Sequence, residues 1–387
     1  MRDLFLLDRR RIFLNHGSFG ACPAEVLEVQ HAWQREMERN PVEFLARRSA
    51  ALLGEARGRL AAFVGCRPDD LVFLTNATTA VNTVARSLEL TAGDEVLTTD
   101  HEYGACDAAW EWACRRAGAR YRRVAVPLPF RREELADRIL AAVTRHTKLI
   151  FLSHVTSPTA LIFPVAEVCR RARERGILTL IDGAHAAGHI PLVLDEIGAD
   201  FYTGNCHKWL CAPKGAGFLR VRPEHHQAID ALVISWGYVA EAGGHAGLDA
   251  YAGSSVFERR HQWQGTRDIS AFLAVPAAID FQERHGWERV RLACHALALE
   301  TRDRTDALTR LAPICAADDF GQMAAVALPP CDAEALRAAL YERHRIEVAV
   351  TTHGGATYLR IAFQGYNTRA DADALVAALS AEVTSPG

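Results

Sequence analysis

Any reaction that needs a nucleophilic amine has few choices in this chain, because only three of its 44 basic residues are lysines: Lys148, Lys208 and Lys214. Lys208 is the one framed by apolar strands. A short run ending at Thr203 reads as a strand, Gly204-Asn205 breaks it, His207-Lys208-Trp209 follows, and Phe218-Leu-Arg-Val221 returns after a Pro-Lys-Gly turn. A lysine so placed is costly to desolvate unless its amine is neutralised or its charge is used. A Schiff base with an aldehyde cofactor neutralises it; snorkelling to solvent is the structural alternative. Lys148, in Arg145-His-Thr-Lys148, suits a solvated strand start, and Lys214 lies in the turn.

Asp182 ends the apolar run Gly176-Ile-Leu-Thr-Leu-Ile181, which puts a carboxylate at the rim of a buried strand. Unpaired, it would tend to take a proton. A protonated pyridine nitrogen is the partner that a pyridoxal cofactor supplies, and the pairing keeps the ring an electron sink. A plain helix cap is the alternative reading of Asp182. Asp182 and Lys208 fall at successive strand ends, and together they point to the cofactor.

The elements around these residues alternate. Strands are expected at 70–75, 95–98, 121–126, 149–152, 177–181 and 200–203, with helical stretches at 81–88, 105–117, 133–143 and 165–174. This β-α alternation predicts an α/β fold with a mainly parallel sheet covered on both faces. Ligands in such sheets sit beyond the carboxyl ends of the strands. Four polar clusters fall there: Asn76-Ala-Thr78, His101-Glu-Tyr103, Ser153-His154 and Asp182-Gly-Ala-His185. The first delivers a strand into a helix N-terminus, where free backbone N–H groups make an anion site or are simply capped. Further on, the spacing predicts long helices over 269–285 and 286–310. A smaller α+β region follows, with strands at 322–327, 346–350 and 358–362 and a helix at 333–344. Arg360, alternating with apolar neighbours in Tyr358-Leu-Arg-Ile-Ala362, either faces water or clamps a carboxylate. The Gly/Ala-rich stretch 241–255 reads as a loop, a lid or a surface excursion.

Composition narrows the function classes. A net charge of −3 argues against a nucleic-acid or anionic-membrane surface. The N-terminal apolar run is too short for an export signal or a span. Ten cysteines without a Cys-x-x-Cys pair suit reduced thiols in a cytoplasm. No zinc pattern stands out, since Gly188 and Pro191 spoil a helix carrying His185 and His189.

Over nearly its whole length the sequence resembles the class V aminotransferase family of fold type I pyridoxal 5′-phosphate enzymes, in its isopenicillin N epimerase-like branch. The resemblance is carried by Asn15-His-Gly-Ser-Phe-Gly20, Asp100-His-Glu-Tyr103, Asp182-Gly-Ala-His185, His207-Lys-Trp209, Gly265-Thr-Arg-Asp268 and Arg360-Ile-Ala-Phe-Gln-Gly-Tyr-Asn-Thr368. It implies a seven-stranded, mainly parallel sheet, an N-terminal arm over 1–19, a large cofactor domain over 20–268 and a small C-terminal domain over 269–387. It also implies a homodimer with shared active sites. By the same resemblance Lys208 forms the Schiff base, Asp182 pairs with the pyridine nitrogen, and His185 bonds the ring 3′-oxygen with Thr156 or Ser157 nearby. Tyr103 stacks on the ring. Asn76, Ala77, Thr78 and His207 surround the phosphate, with Thr266 reaching over from a second subunit. Arg360 binds the substrate α-carboxylate, assisted by Asn15. Where relatives often carry Ser, two residues before His207, this chain has Asn205. Cysteine desulfurases of the family place a reactive cysteine about fifteen residues before the carboxylate arginine; here 343–359 contain none, and the last cysteine is Cys331. Sulfur transfer of that kind is therefore disfavoured.

The reaction expected is cleavage of a Cα bond of an amino acid by Lys208 acting as base, in natural-product metabolism. Elimination from an S-substituted cysteine leads, because epimerisation needs a second acid that the sequence does not single out. Epimerisation and then transamination are the alternatives. A non-catalytic scaffold would be expected to have lost Lys208 or Asp182, and both are present.

Overall fold

A computed structural model describes residues 1–241 and 255–383. The stretch 241–255 thus falls almost wholly outside the described residues. The large sheet has seven strands: β2 (Leu71–Leu74), β3 (Glu95–Thr99), β4 (Arg120–Val124), β5 (Thr147–Ser153), β6 (Leu178–Gly183), β7 (Phe201–Asn205) and β8 (Gly217–Val221), in the order β2-β8-β7-β6-β5-β3-β4. Strands β7, β6, β5, β3 and β4 are mutually parallel, and β8 runs antiparallel between β7 and β2.

Successive strand residues point to opposite faces, and both faces are apolar. On β5, Leu149 and Phe151 pack with Val81 and Trp110, while Ile150 and Leu152 pack with the core that includes Leu60 and Phe281. Burial on both faces is the reason these strands read as continuous hydrophobic runs. The expected mainly parallel, doubly covered sheet is what forms.

A smaller antiparallel sheet pairs β11 (Ala349–His353), β12 (Ala356–Ala362) and β9 (Met323–Leu328) in the order β11-β12-β9. The N-terminal strand β1 (Ile12–Phe13) runs parallel to β10 (Ile346–Glu347). The single strand expected over 346–350 is therefore two pieces, because the chain changes partner at Val348 from β1 to β12. The helix expected over 269–285 breaks at Ala274 into Ser270–Leu273 and Val275–Arg284, where Pro276 enters a first turn that needs no N–H from it. The strand expected to stop at Thr203 continues through Asn205, paired with Gly217.

Three connections position the cavity. Helix α1 (His16–Phe19) ends at Gly20, whose φ of 70° is left-handed and whose Cβ, were there one, would collide with the His207 carbonyl. The arm is thus packed directly on the Lys208 loop, an approach that glycine permits. Helix α4 (Ala77–Ser87) begins at the end of β2, with Asn76 Oδ1 accepting from Thr79 N at 2.8 Å, a cap that stabilises by about 1 kcal/mol. Helix α5 (Gly104–Ala117) leaves β3 through Tyr103. No helix among the described residues is long and apolar enough to cross a membrane.

Candidate active site

A cavity of about 300 Å³ opens beyond the carboxyl ends of the central strands. It is lined by Lys208, Asp182, His185, Tyr103, Asn76, Ala77, Thr78, Ser157 and His207, all of them expected from the sequence, and also by Ser18, Phe19, Ser153, Asn205 and Lys214. Arg360 touches it through Ser157 and Ser18. Thr266 is exposed and does not line its own chain's cavity.

At the centre, Lys208 Nζ lies 3.2 Å from His185 Nε2. Removal from water, then the charge of Arg360, push the Lys208 pKa down to about 8. The other two lysines differ. Lys148 is exposed beside Asp94, and Lys214 is an exposed turn residue donating to the Gly20 carbonyl at 2.9 Å.

Asp182 defines the deep end. It is buried, its Oδ1 accepts from Ala184 N at 2.9 Å, and Cys106 Sγ donates to its Oδ2 at 3.5 Å. Burial raises its pKa. Beside it sits a second buried carboxyl. Glu102 Oε2 accepts from Ser153 N at 2.7 Å and from Ser153 Oγ at 2.6 Å, and its Oε1 accepts from Thr99 Oγ1 at 2.6 Å. Burial pushes the Glu102 pKa up to about 8.

The opposite end is an anion cup at the α4 N-terminus. Asn205 closes part of it: its Oδ1 accepts from Ala77 N at 2.8 Å. Its amide nitrogen, on a side chain that lines the cavity, is left free to donate. Asn76 Oδ1 is spent on capping Thr79, so the helix end offers Thr78 and the Asn76 and Asn205 amides as donors. His207 places Nδ1 3.0 Å from the Ala216 carbonyl, so a neutral ring presents a lone pair at Nε2. Burial pushes its pKa down to about 4; it holds a phosphate only by taking up a proton.

Arg360, buried on β12, uses Nη1 on the Ser157 carbonyl at 2.6 Å and Ser157 Oγ at 3.1 Å, and Nη2 on Ser18 Oγ at 2.9 Å. Its Nε is buried without a partner, and burial lowers its pKa to about 10. Tyr103 lines the same cavity. Asn15 does not line the cavity. It donates to Glu347 Oε1 at 3.1 Å and accepts from Ser18 Oγ at 2.6 Å, so it acts on Arg360 through Ser18. Thr156 likewise turns away, to Thr159 and Leu161.

Two residues of the strand-end clusters point into the protein body instead. His154 Nδ1 meets the Tyr202 hydroxyl at 2.8 Å. His101 engages Thr159 Oγ1 at 2.7 Å and the Val126 carbonyl at 2.8 Å. His101 lies near Asp100 and His353 at distances a metal ion would span, but both its ring nitrogens are taken.

The donor set fits pyridoxal 5′-phosphate part by part: an anion cup at a helix end, a buried carboxylate at the far end, an amine between them, and a guanidinium without a carboxylate partner beside them. The sequence placed Glu102 and Ser153 in strand-end clusters without a role, marked Asn205 only as a departure from relatives, and gave Ser18 no role. Ser153 was within reach, since it belongs to a strand-end cluster. Ser18 lies within the Asn15–Gly20 motif, but nothing local assigns it to Arg360.

The chain is similar to known proteins over nearly its whole length. A family model described as aminotransferase class-V matches residues 13–375. Isopenicillin N epimerase of Streptomyces clavuligerus is 40% identical, covering 98% of this chain and 97% of its own. A probable chloroplastic L-cysteine desulfhydrase of Arabidopsis thaliana is 28% identical, covering 92% and 80%. Among solved structures, a variant of C-DES with glycine covalently linked to its pyridoxal phosphate cofactor superposes with a TM-score of 0.83 at 23% identity, over 98% and 99% of the two chains.

Proposed function

The chain belongs to the class-V aminotransferase family, and from that premise we propose that it is a pyridoxal 5′-phosphate enzyme that removes the Cα proton of an amino-acid substrate. One observation carries the reading: Lys208, Asp182 and the α4 N-terminus line a single cavity whose rim is held by Arg360. Bound there, the cofactor supplies an aldehyde for amine chemistry and a ring that accepts the electron pair left at Cα. Asp182 would hold the proton of the ring nitrogen, Thr78 and the Asn205 amide would hold the phosphate, and Tyr103 would pack against the ring. Arg360 fixes the α-carboxylate, which sets the Cα–H bond toward Lys208. Lys208, with a pKa near 8, suits a base working close to neutrality.

Of the outcomes open to that proton transfer, we favour epimerisation. The similarity to an isopenicillin N epimerase over nearly the full length supports it, and Tyr103, a phenol lining the same cavity, is our choice for the second acid that the sequence alone did not single out. Elimination from an S-substituted cysteine is the second reading, favoured by the similarity to a cysteine desulfhydrase. We place the enzyme in natural-product metabolism and in the cytoplasm, as a homodimer whose Thr266 serves the neighbouring site.

Incubating the enzyme with single-enantiomer amino acids in deuterated water separates the readings. Epimerisation yields the opposite enantiomer carrying deuterium at Cα; elimination yields pyruvate, ammonia and a thiol. With Tyr103→Phe, inversion should stop while Cα–H exchange by Lys208 persists. Absence of Cα exchange with every amino acid of a broad panel would overturn the proposal.

A further inference from the structure

Trp209 follows the lysine in sequence, yet its indole is aimed at His185 rather than at solvent. Its Nε1–H lies 3.2 Å from His185 Nδ1. An indole N–H can only donate, so His185 Nδ1 must carry a lone pair. His185 is buried, and burial together with the Lys208 and Arg360 charges holds the ring neutral. A neutral imidazole has one proton, and it is left on Nε2. That atom lies 3.2 Å from Lys208 Nζ.

We propose that Trp209 is a positioning residue that locks the His185 proton on Nε2, so that Lys208 meets an N–H donor that favours its free, acceptor amine over the ammonium. The indole cannot swing away from this duty. Its ring stacks on His189 at 4.1 Å between centroids and 16° between planes, it leans on His16 at 5.0 Å, and its carbonyl accepts from Gln282 Nε2 at 2.8 Å. The other groups facing the pair divide. Arg360 from β12 and the neighbouring His189 and His16 disfavour further positive charge, whereas Asp182 from β6 and Cys106 from α5 favour the lysine ammonium. The geometry at His185 therefore matters to the balance. Were Nε2 a lone pair, it would accept from the ammonium and stabilise the charged, unreactive form. Under the cofactor reading above, on which this extension rests, the same N–H becomes the donor to the ring 3′-oxygen.

The test uses the cofactor-free chain, so its failure leaves the family reading untouched. Nitrogen-15 histidine spectra of wild type, with the His185 signal assigned by its loss in His185→Gln, should show one neutral tautomer protonated at Nε2. Replacing Trp209 by 3-benzothienylalanine keeps the ring shape and removes only the N–H. In that variant the tautomers should average. Reductive methylation followed by peptide mass spectrometry, simple with three lysines, should place the Lys208 midpoint about one pH unit higher, which is about a tenfold slower reaction at pH 7. Trp209→Phe should move the midpoint the same way, but it removes packing as well. A wild-type His185 protonated at Nδ1, or an unchanged Lys208 midpoint in a folded benzothienyl variant, would overturn the proposal.

Discussion

At the deep end of the cavity Asp182 and Glu102 are buried carboxyls, and neither has an ion-pair partner among the described residues; their donors are Ala184, Cys106, Ser153 and Thr99. At the rim the imbalance is reversed. Arg360 is a buried guanidinium held by two hydroxyls and a carbonyl, with its Nε unmatched. A buried carboxylate at Asp182 and a buried guanidinium at Arg360 are each costly without a counter-charge, and the two charges have opposite sign. A ligand that is cationic at one end and anionic at the other relieves both. A pyridinium facing Asp182 and a carboxylate facing Arg360 are such a pair, and the cavity's polarity thus fixes which way the two are threaded.

Lys208 sits where the two halves meet, so removing it is the harshest way to break the comparison. Lys208→Ala should abolish turnover and leave the fold intact, because the loss is of a nucleophile and not of core packing. Borohydride should attach cofactor to the Lys208 peptide in wild type. Labelling at Lys148 or Lys214 would reassign the chemistry.

The deep end carries a pH signature of its own. The Glu102 pKa is raised from 4.5 in the unfolded chain to about 8 in the folded one. Its stabilising contribution is therefore complete below pH 4.5, declines as the unfolded state ionises, and is lost as pH rises through about 8. Glu102→Gln, whose amide can accept from Ser153 and donate to Thr99, should flatten the stability of the cofactor-free protein between pH 6 and 8. Denaturant titrations at several pH values would show it; parallel wild-type and variant curves would mean that Glu102 is ionised throughout.

At the rim, Arg360→Lys keeps the charge and loses the planar fork. Amino-acid binding should weaken by about 2–3 kcal/mol, read by stopped-flow substrate titration, while the cofactor spectrum stays put. Equal affinity would remove Arg360 from substrate binding.

The two ends were unequally legible in the sequence. Lys208 and Asp182 stood out because strand periodicity predicts where a buried run ends, and ligands gather at those ends. Periodicity does not say which strand-end side chains turn inward: His101 and His154 do, while Tyr103 and Ser153 face the cavity. The rim was harder still. Ser18 reaches Arg360 across 342 residues of chain, a contact made by the arm packing through Gly20 and announced by no local pattern. The break read at Gly204-Asn205 had a similar cause. Glycine there looked like the end of a strand, yet pairing with Gly217 carries β7 through Asn205 and aims that side chain at the helix.

Asn205 offers the finest test, because it belongs to the third part of the cavity, where the ligand's own negative charge must be met. Its Oδ1 is already committed to Ala77 N, so only its amide nitrogen remains for a phosphate. Asn205→Asp preserves the acceptor that closes the helix end and replaces the donor by a carboxylate oxygen. If Asn205 serves only the helix, the substitution should be nearly neutral. If it donates to the phosphate, binding of pyridoxal 5′-phosphate should weaken by at least about 2 kcal/mol, the scale of one hydrogen bond to a charged group, because the new carboxylate also repels the phosphate. Pyridoxal, which lacks the phosphate, should bind the two proteins alike. Fluorescence titration of both ligands against both proteins closes the cycle. An equal loss for pyridoxal and its phosphate would assign the effect to the displaced helix end rather than to the phosphate.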